Sequence, residues 1–373
     1  MTRQSYGAGS MSEREPGVWR LRVMVDGKQA QRTFRGTEAA ARKELRKLDV
    51  QSATPPKGVR TFGDLLDEWM TFQESRGRAP KTLDENRREI EVRIRPRLGN
   101  IPVVDLTVHD LDKAYSGWSA EGLAASSVHR HAAVISAALT QGVKWEWLDA
   151  SPAMRASAPT AASSRKLVTP TTKEVAKLIN TAQLDDPVMA AAVALAFVTG
   201  ARRGELCALL WSDIDLDMGT VRIEKSLSQV GNDLAMKSTK TDRGRTVSLD
   251  DRAVALLKHH QEWQRSLSDE AESPLVKDPY VLSDNANGAR PIEPSKVTDR
   301  FAALRKAAKV RQGVRFHDLR HAHVTQLLSA GVDATTVATR VGHASTRMTL
   351  DRYSHALPAG DVAAAKLIGA LLP

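Results

Sequence analysis

A chain of 373 residues is too long for one compact core and implies two or three domains. Its 42% hydrophobic and 26% charged content is ordinary for a globular protein, and its longest apolar run, around 188–198, falls short of the ~20 residues that cross a bilayer. The lone Cys207 excludes an intramolecular disulfide and a cysteine-built zinc site, and residues 1–60, with 13 Lys/Arg against 6 Asp/Glu, hold +7 of the net charge of +10, a bias that suits polyanions.

In chain order, residues 1–15 read as a polar, glycine-containing tail with no apolar leader segment. Residues 18–25 alternate in part with period two. Asp26-Gly27 is a hairpin turn signal, and 29–34 read as the return strand. Thr37 opens a helix over 38–50. Arg20 and Arg22 stand at alternate strand positions, where a small sheet can present them to a DNA groove. Pro55-Pro56 and Gly58 make 51–59 a linker.

Residues 61–149 read as helices throughout. Thr61 and Asp64 form a capping-box start, followed by Leu65, Leu66, Trp69 and Phe72 at helical spacing. A second helix runs from Leu83 to about Arg95, and its arginines include Arg87 and Arg88. Thr107 and Asp110 cap a third helix, and a fourth begins at Ser126 or Ser127 and carries Arg130. Residues 150–166, rich in Ala, Ser, Pro and Thr, form the clearest domain boundary.

In the last domain, Thr171 and Glu174 form another capping box, and Pro187 starts an alanine-rich helix that Gly200 ends in a left-handed cap. Residues 205–211 read as a continuing helix. Strands are expected at 220–223, 234–240 and 245–249, with Lys240 at the end of the second. Helices follow at about 251–267 and 295–309. Another over 315–329 puts His317 and Arg320 on one face, and two more run to Gly342 and to Tyr353. His321 and His323 read as surface residues. Residues 361–371 form a short amphipathic tail, suited either to docking on a neighbouring protomer or to packing on its own domain.

Several of these residue types together suit attack on a phosphodiester. Arg202 and Arg320, with planar fork geometry, can hold the two non-bridging oxygens as charge builds on them. Lys240, in a cluster with Lys237, Arg243 and Arg245, can protonate a leaving 5′-hydroxyl. Tyr353 can form a covalent link whose phenol leaves readily, so the step reverses. His317 can accept or orient the phenolic proton, and His343 can donate to a non-bridging oxygen. No metal or other cofactor is called for, since the arginines neutralise the charge.

The ordered set Arg202, Lys240, His317-x-x-Arg320, His343, Tyr353 closely resembles the catalytic set of the tyrosine recombinases, the phage-integrase family. The segments TGARRGELCALLWSDID, FHDLRHAH and VGHASTRMTLDRYSHALP match its motif boxes, departing at Ala201, where a larger apolar residue is more usual. The resemblance implies a multidomain, mainly α fold with small β-sheets. An arm-type DNA-binding domain would span 1–53 (a three-stranded sheet plus helix), an all-helical SAM-like core-binding domain 60–150, and an α+β catalytic domain 166–373. Glu205 would be a structural carboxylate and Asp318 a brace for its helix. Arg20, Arg22, Arg87, Arg88 and Arg130 would contact DNA.

By the same resemblance the expected function is site-specific recombination through a 3′-phosphotyrosyl intermediate, integrating and excising a phage or mobile element without ATP. The expected partners are double-stranded attachment sites and three further copies in a tetramer, with a DNA-bending host factor and a directionality factor as candidates. The expected place is the bacterial cytoplasm, at the nucleoid, with no membrane partner. A type IB-like topoisomerase and a non-cutting DNA-binding regulator are the alternatives. The tyrosine serves either its own site or a neighbour's.

Overall fold

The computed structural model describes residues 10–25, 28–41, 44–45, 59–159, 168–231, 233–238, 244–343 and 345–353. The chain divides into two compact units, 1–165 and 166–373.

The first unit opens with an antiparallel sheet of β1 (Ser10–Glu15), β2 (Val18–Val25) and β3 (Lys28–Arg35) in the order β1-β2-β3. The end of the expected tail is therefore a strand. Its polar sequence hid it, and it is held by pairing Met11 with Leu21 and Ser12 with Arg20. Val25 pairs with Lys28, so the hairpin loop has two residues, while Asp26 and Gly27 themselves lie outside the described residues. Residues 38–41 and 44–45 are helical, Glu44 is ion-paired to Arg32, and the remainder of the expected helix lies outside the described residues. Leu21, on the Arg32 face of the sheet, is fully buried, so alternation puts Arg20 and Arg22 on the opposite face.

Next come α1 (Phe62–Ser75), α2 (Pro80–Glu89), α3 (Arg95–Leu98), α4 (Val108–Ala120) and α5 (Ala125–Lys144). The capping boxes of Thr61 with Asp64 and Thr107 with Asp110 are both formed. The helix expected from Leu83 to Arg95 starts earlier and is interrupted. Ile90–Ile94 is a π-helical segment in which Arg95 N–H donates to Ile90 O. Pro96 supplies the reason. It has no N–H for the regular ladder, and its ring would clash with the preceding turn, so the wider turn relieves both. Phe62, Leu65, Leu66, Ile90, Ile94, Leu111, Trp118, Ile135 and Leu139 form the core of this bundle.

The second unit begins with α6 (Thr172–Asp185), capped by Thr171 and Glu174, and α7 (Pro187–Thr199). Helix α7 is buried from Val188 to Ala196, which makes it the centre of the core. Helix α8 (Arg203–Cys207) is short. The helix expected to reach Trp211 stops at Cys207, because Leu210 bridges to Tyr280 and Trp211 enters a 3₁₀ turn with its indole donating to Gln264. Strands β4 (Ile214–Asp215), β5 (Thr220–Ile223) and β8 (Arg245–Ser248) form one antiparallel sheet, and β6 (Lys225–Val230) with β7 (Asp233–Ser238) form a second. β4 and β6 escaped sequence reading. The first has two residues, and the second has Leu227 as its one fully buried position.

Helices α9 (Asp251–Glu270), α10 (Pro294–Ala307), α11 (Asp318–Ser329), α12 (Ala334–Val341) and α13 (Thr346–Tyr353) complete the described chain. Helix α11 starts three residues later than expected. His317 is its N-cap, and the Asp318 carboxylate accepts from Arg315 N–H at 2.7 Å, which turns the chain into the helix. The tail at 361–371 lies outside the described residues.

Candidate active site

The second unit gathers the end of α7, the start of α8, β8, α11 and the turn between α12 and α13. Gly200 makes the first junction. It is left-handed (φ 63°), and a Cβ there would lie 2.7 Å from Val341 and 2.8 Å from His323. Only glycine lets the chain turn so close to α11 and α12. The carbonyl of Gly200 accepts from Arg320 Nη1 at 2.6 Å. Thus the turn that presents Arg202 also anchors Arg320.

Glu205 organises the guanidinium groups. It is 2% exposed, accepts from the backbone N–H of Arg202 at 2.8 Å and from Arg202 Nη1 at 2.7 Å, and pairs with Arg245 Nη2 at 2.7 Å. Burial alone would push its carboxyl up. The hydrogen bond and charge of Arg245, with help from Arg202, hold it below the ordinary value instead. Arg202 Nη2 donates to Gly342 O at 3.0 Å, and Arg245 Nε donates to Arg340 O at 2.9 Å. Both arginines therefore clip the α12 end, where Gly342 is left-handed (φ 67°) and His343 follows.

Arg320 is 3% exposed, and among the described residues its Nη2 is buried with no hydrogen-bond partner. Burial, then the charge of Arg202, push its guanidinium down to about 9; Glu205 opposes this, and Arg245 adds to it. Three guanidinium groups thus share one carboxylate, an arrangement that favours an added anion.

Tyr353 is 1% exposed. Its ring belongs to a cluster with Val324, Leu328, Val337 and Val341, and its hydroxyl is hydrogen-bonded to His321 Nδ1. His317 is exposed and meets the His321 ring edge-on, with centroids 5.0 Å apart. His343 Nδ1 lies 2.7 Å from the Thr349 hydroxyl, which ties it to α13.

The structure gathers Arg202, Glu205 and Arg320 around Gly200 and Gly342, with His343 tied to Thr349 and Tyr353 to His321 beside them, His317 next to His321, and Asp318 turning the chain into α11. Lys240 lies outside the described residues. The reading of His321 and His323 as surface residues is wrong: both are buried, the first against Tyr353 and the second with Nδ1 donating to Phe197 O at 2.7 Å. Histidine is usually partly exposed, and the hydrogen-bond partners that hold these two inside lie 32 and 126 residues away in sequence. A signal was present, since His321 lies four residues after His317 on the same helical face. Arg245, expected only as part of a charge cluster, is the partner that fixes Glu205.

In the first unit, Arg20 and Arg22 are half-buried on β2, and Arg88 and Arg130 are exposed on α2 and α5. Arg87 is ion-paired with Glu74. Arg95 pairs with Asp67 and Glu91, and Arg97 pairs with Glu121, so these arginines are neutralised by carboxylates at the surface of the same bundle. No helix among the described residues is long and apolar enough to cross a membrane.

Residues 170–359, just over half of the chain, match the phage integrase family, and residues 61–119 match the N-terminal SAM-like domain of phage integrases. The ICEBs1 integrase of Bacillus subtilis is 29% identical over 50% of each chain, so that match spans about half of the relative. A Mycobacterium tuberculosis prophage integrase, phiRv2, is 26% identical over 99% of this chain and 97% of the relative. Among solved structures, the Tn1549 transposon integrase in complex with a circular intermediate DNA superposes with a TM-score of 0.70 at 19% identity, covering 83% of this chain and 99% of that one. A lambda integrase tetramer bound to a Holliday junction gives 0.59 at 20% identity over 90% and 96%. The fold is shared with these enzymes, and the family match over more than half of its length makes this chain a member of the phage integrase family, the tyrosine recombinases.

Proposed function

We propose that the protein is a site-specific DNA recombinase that integrates and excises a phage or mobile element through a 3′-phosphotyrosyl intermediate. The observation that carries this reading is the buried excess of guanidinium charge at Arg320. Its Nη2, without a hydrogen-bond partner among the described residues, with Arg202 close by and within electrostatic reach of Tyr353, suits a phosphodiester better than a structural ion pair, because Glu205 is already engaged by Arg202 and Arg245.

In this reading Arg202 and Arg320 hold the non-bridging oxygens, and His343 donates to one of them. Tyr353 attacks phosphorus, and Lys240 protonates the departing 5′-oxygen. The free 5′-hydroxyl then attacks the phosphotyrosyl link of a partner strand. Because the attacking and leaving groups exchange one phosphoester for another, the bond energy is conserved and no ATP is consumed. Residues 1–53 act as an arm-type DNA-binding domain, with Arg20 and Arg22 toward the duplex. Residues 60–150 grip the core site through Arg87, Arg88 and Arg130, and residues 166–373 carry the chemistry. Four copies act on paired attachment sites in the bacterial cytoplasm, with DNA-bending and directionality factors as accessory partners.

Covalent trapping tests this. Nicked duplexes spanning the junctions of the element that carries the gene are mixed with wild type and Tyr353→Phe, and denaturing gels are run. A protein–DNA adduct in wild type alone, with joined products between two different sites, is the expected result. Adducts that relax supercoils but never join two sites would favour a topoisomerase. Tight binding with no adduct would favour a non-cutting regulator.

A further inference from the structure

The geometry points to Thr349 as the positioning residue of His343. Its hydroxyl donates to Nδ1, which keeps the single proton of a neutral imidazole on Nε2, the nitrogen that then serves a non-bridging phosphate oxygen. This rests on the phosphotyrosyl chemistry proposed above and adds a residue to it. The Thr349 hydroxyl lies 2.7 Å from His343 Nδ1.

The burial pattern of α13 is the first support. Thr349 is 0% exposed, whereas the apolar residues on either side of it, Met348 and Leu350, are 51% and 39% exposed. A helix turned for packing alone would bury the methionine or the leucine and leave the threonine to water, because a buried hydroxyl has to find a partner. Here the hydroxyl finds His343. Thr349 and the buried Tyr353 are four residues apart and share one face of α13.

The second support is that the backbone and the ring of His343 are held separately. Arg202 Nη2 donates to the carbonyl of Gly342, whose left-handed conformation ends α12, and this places the residue beside an arginine assigned to phosphate. That contact sets neither the ring's rotamer nor its tautomer. A neutral imidazole has two tautomers, and a hydrogen bond at one nitrogen selects between them. A hydroxyl can donate to Nδ1 or accept from it. Only donation leaves the proton of the neutral ring on Nε2, and a proton there is what lets His343 stabilise an oxygen as charge grows on it. Because Thr349 sits one turn before Tyr353, the same contact ties this donor to the helix that carries the nucleophile, so the two meet a phosphate in a fixed relation.

Valine and serine separate a hydroxyl role from a packing role. Valine keeps the shape of threonine without the hydroxyl; serine keeps the hydroxyl and loses a methyl. Single-turnover cleavage of a nicked attachment-site duplex is measured for wild type, Thr349→Val, Thr349→Ser, His343→Gln and the double variant Thr349→Val with His343→Gln, with DNA affinity and thermal unfolding alongside. The expected result is a loss of about 10–10²-fold in cleavage rate for Thr349→Val at near wild-type DNA affinity, most of it restored in Thr349→Ser. The double variant cleaves no more slowly than His343→Gln, since Thr349 acts through that ring. A wild-type rate in Thr349→Val, serine slower than valine, or single losses that multiply in the double variant overturns this assignment and leaves the phosphotyrosyl reading standing. A wild type that binds its site and forms no adduct overturns that reading and this inference with it. Should Thr349→Val fail to fold, ¹⁵N-histidine NMR of wild type decides: a His343 proton on Nε2 alone supports the inference, and a proton on Nδ1 overturns it.

Discussion

Replacing Glu205 by glutamine removes the negative charge that lies between Arg202 and Arg245 while keeping the side chain's shape. Glu205 accepts three hydrogen bonds from these two residues and is almost fully buried. A glutamine amide must turn one NH₂ toward guanidinium donors, and the cations of Arg202, Arg245 and Arg320 then face one another without a counter-charge. Breaking a buried pair by removing one partner costs about 3–5 kcal/mol. Amides of α7 that exchange through global opening of this unit should therefore exchange about 10²–10³-fold faster, since each 1.4 kcal/mol is about tenfold. Hydrogen-exchange mass spectrometry on the full chain reads this directly from peptides covering Pro187–Thr199. Added sulfate should restore part of the protection by seating an anion among the arginines. The double variant Glu205→Gln with Arg245→Gln should be better protected than Glu205→Gln alone, because the stranded charge is gone. Protection in Glu205→Gln within about fivefold of wild type, with no response to sulfate, would refute the idea that this carboxylate holds the guanidinium groups together.

Two further outcomes follow from the same region. Burial, then the charge of Arg340, push the His323 imidazole down to about 4 from an ordinary 6.5. The unfolded chain gains that proton near 6.5 and the folded one only near 4, so this contribution is full above 6.5 and shrinks as pH falls to about 4, by about 3 kcal/mol in all. Urea midpoints of wild type and His323→Asn measured across that range should converge on acidification; parallel curves would contradict it. Gly200→Ala should cost about 2 kcal/mol or more, from left-handed strain plus contact with Val341 and His323, and should cut adduct yield by shifting the carbonyl that holds Arg320. Gly231→Ala, also left-handed but with nothing within 4 Å, is the control, and equal losses in the two variants would defeat the packing argument.

What the sequence made legible was mostly local. The capping boxes of Thr61, Thr107 and Thr171 appear where expected because each is closed by a carboxylate three residues on. The left-handed stops at Gly200 and Gly342 were likewise readable, since glycine is the residue that adopts them cheaply. The motif residues could be named in advance, but not what each one touches. β1 was hidden because its pairing with β2 depends on backbone hydrogen bonds and not on its polar side chains. The π-helical segment before Pro96 needed the geometry of a ring against a helix turn. The Arg245–Glu205 pair spans 40 residues, and nothing in either segment's local pattern announces it.

Helix α11 shows why the site itself was only half legible. Seven consecutive residues, Asp318 to Val324, are buried, and four of them are polar or charged. A helix buried on all sides is ordinarily apolar, and an apolar replacement of such groups is often neutral or stabilising. Here each polar side chain has a partner, local for Asp318 (the Arg315 amide) and remote for the others: Arg320 the Gly200 carbonyl, His321 the Tyr353 hydroxyl, His323 the Phe197 carbonyl. Local pattern reading expects such residues at the surface, which is why His321 and His323 were misplaced. The conflict is itself informative. Four buried polar groups within six residues make little sense as a stability device, because burying such groups costs about as much as their hydrogen bonds return. They make sense if the helix exists to hold the Arg320 guanidinium among Arg202, Glu205 and Arg245, with Asp318 and His323 fixing its two flanks.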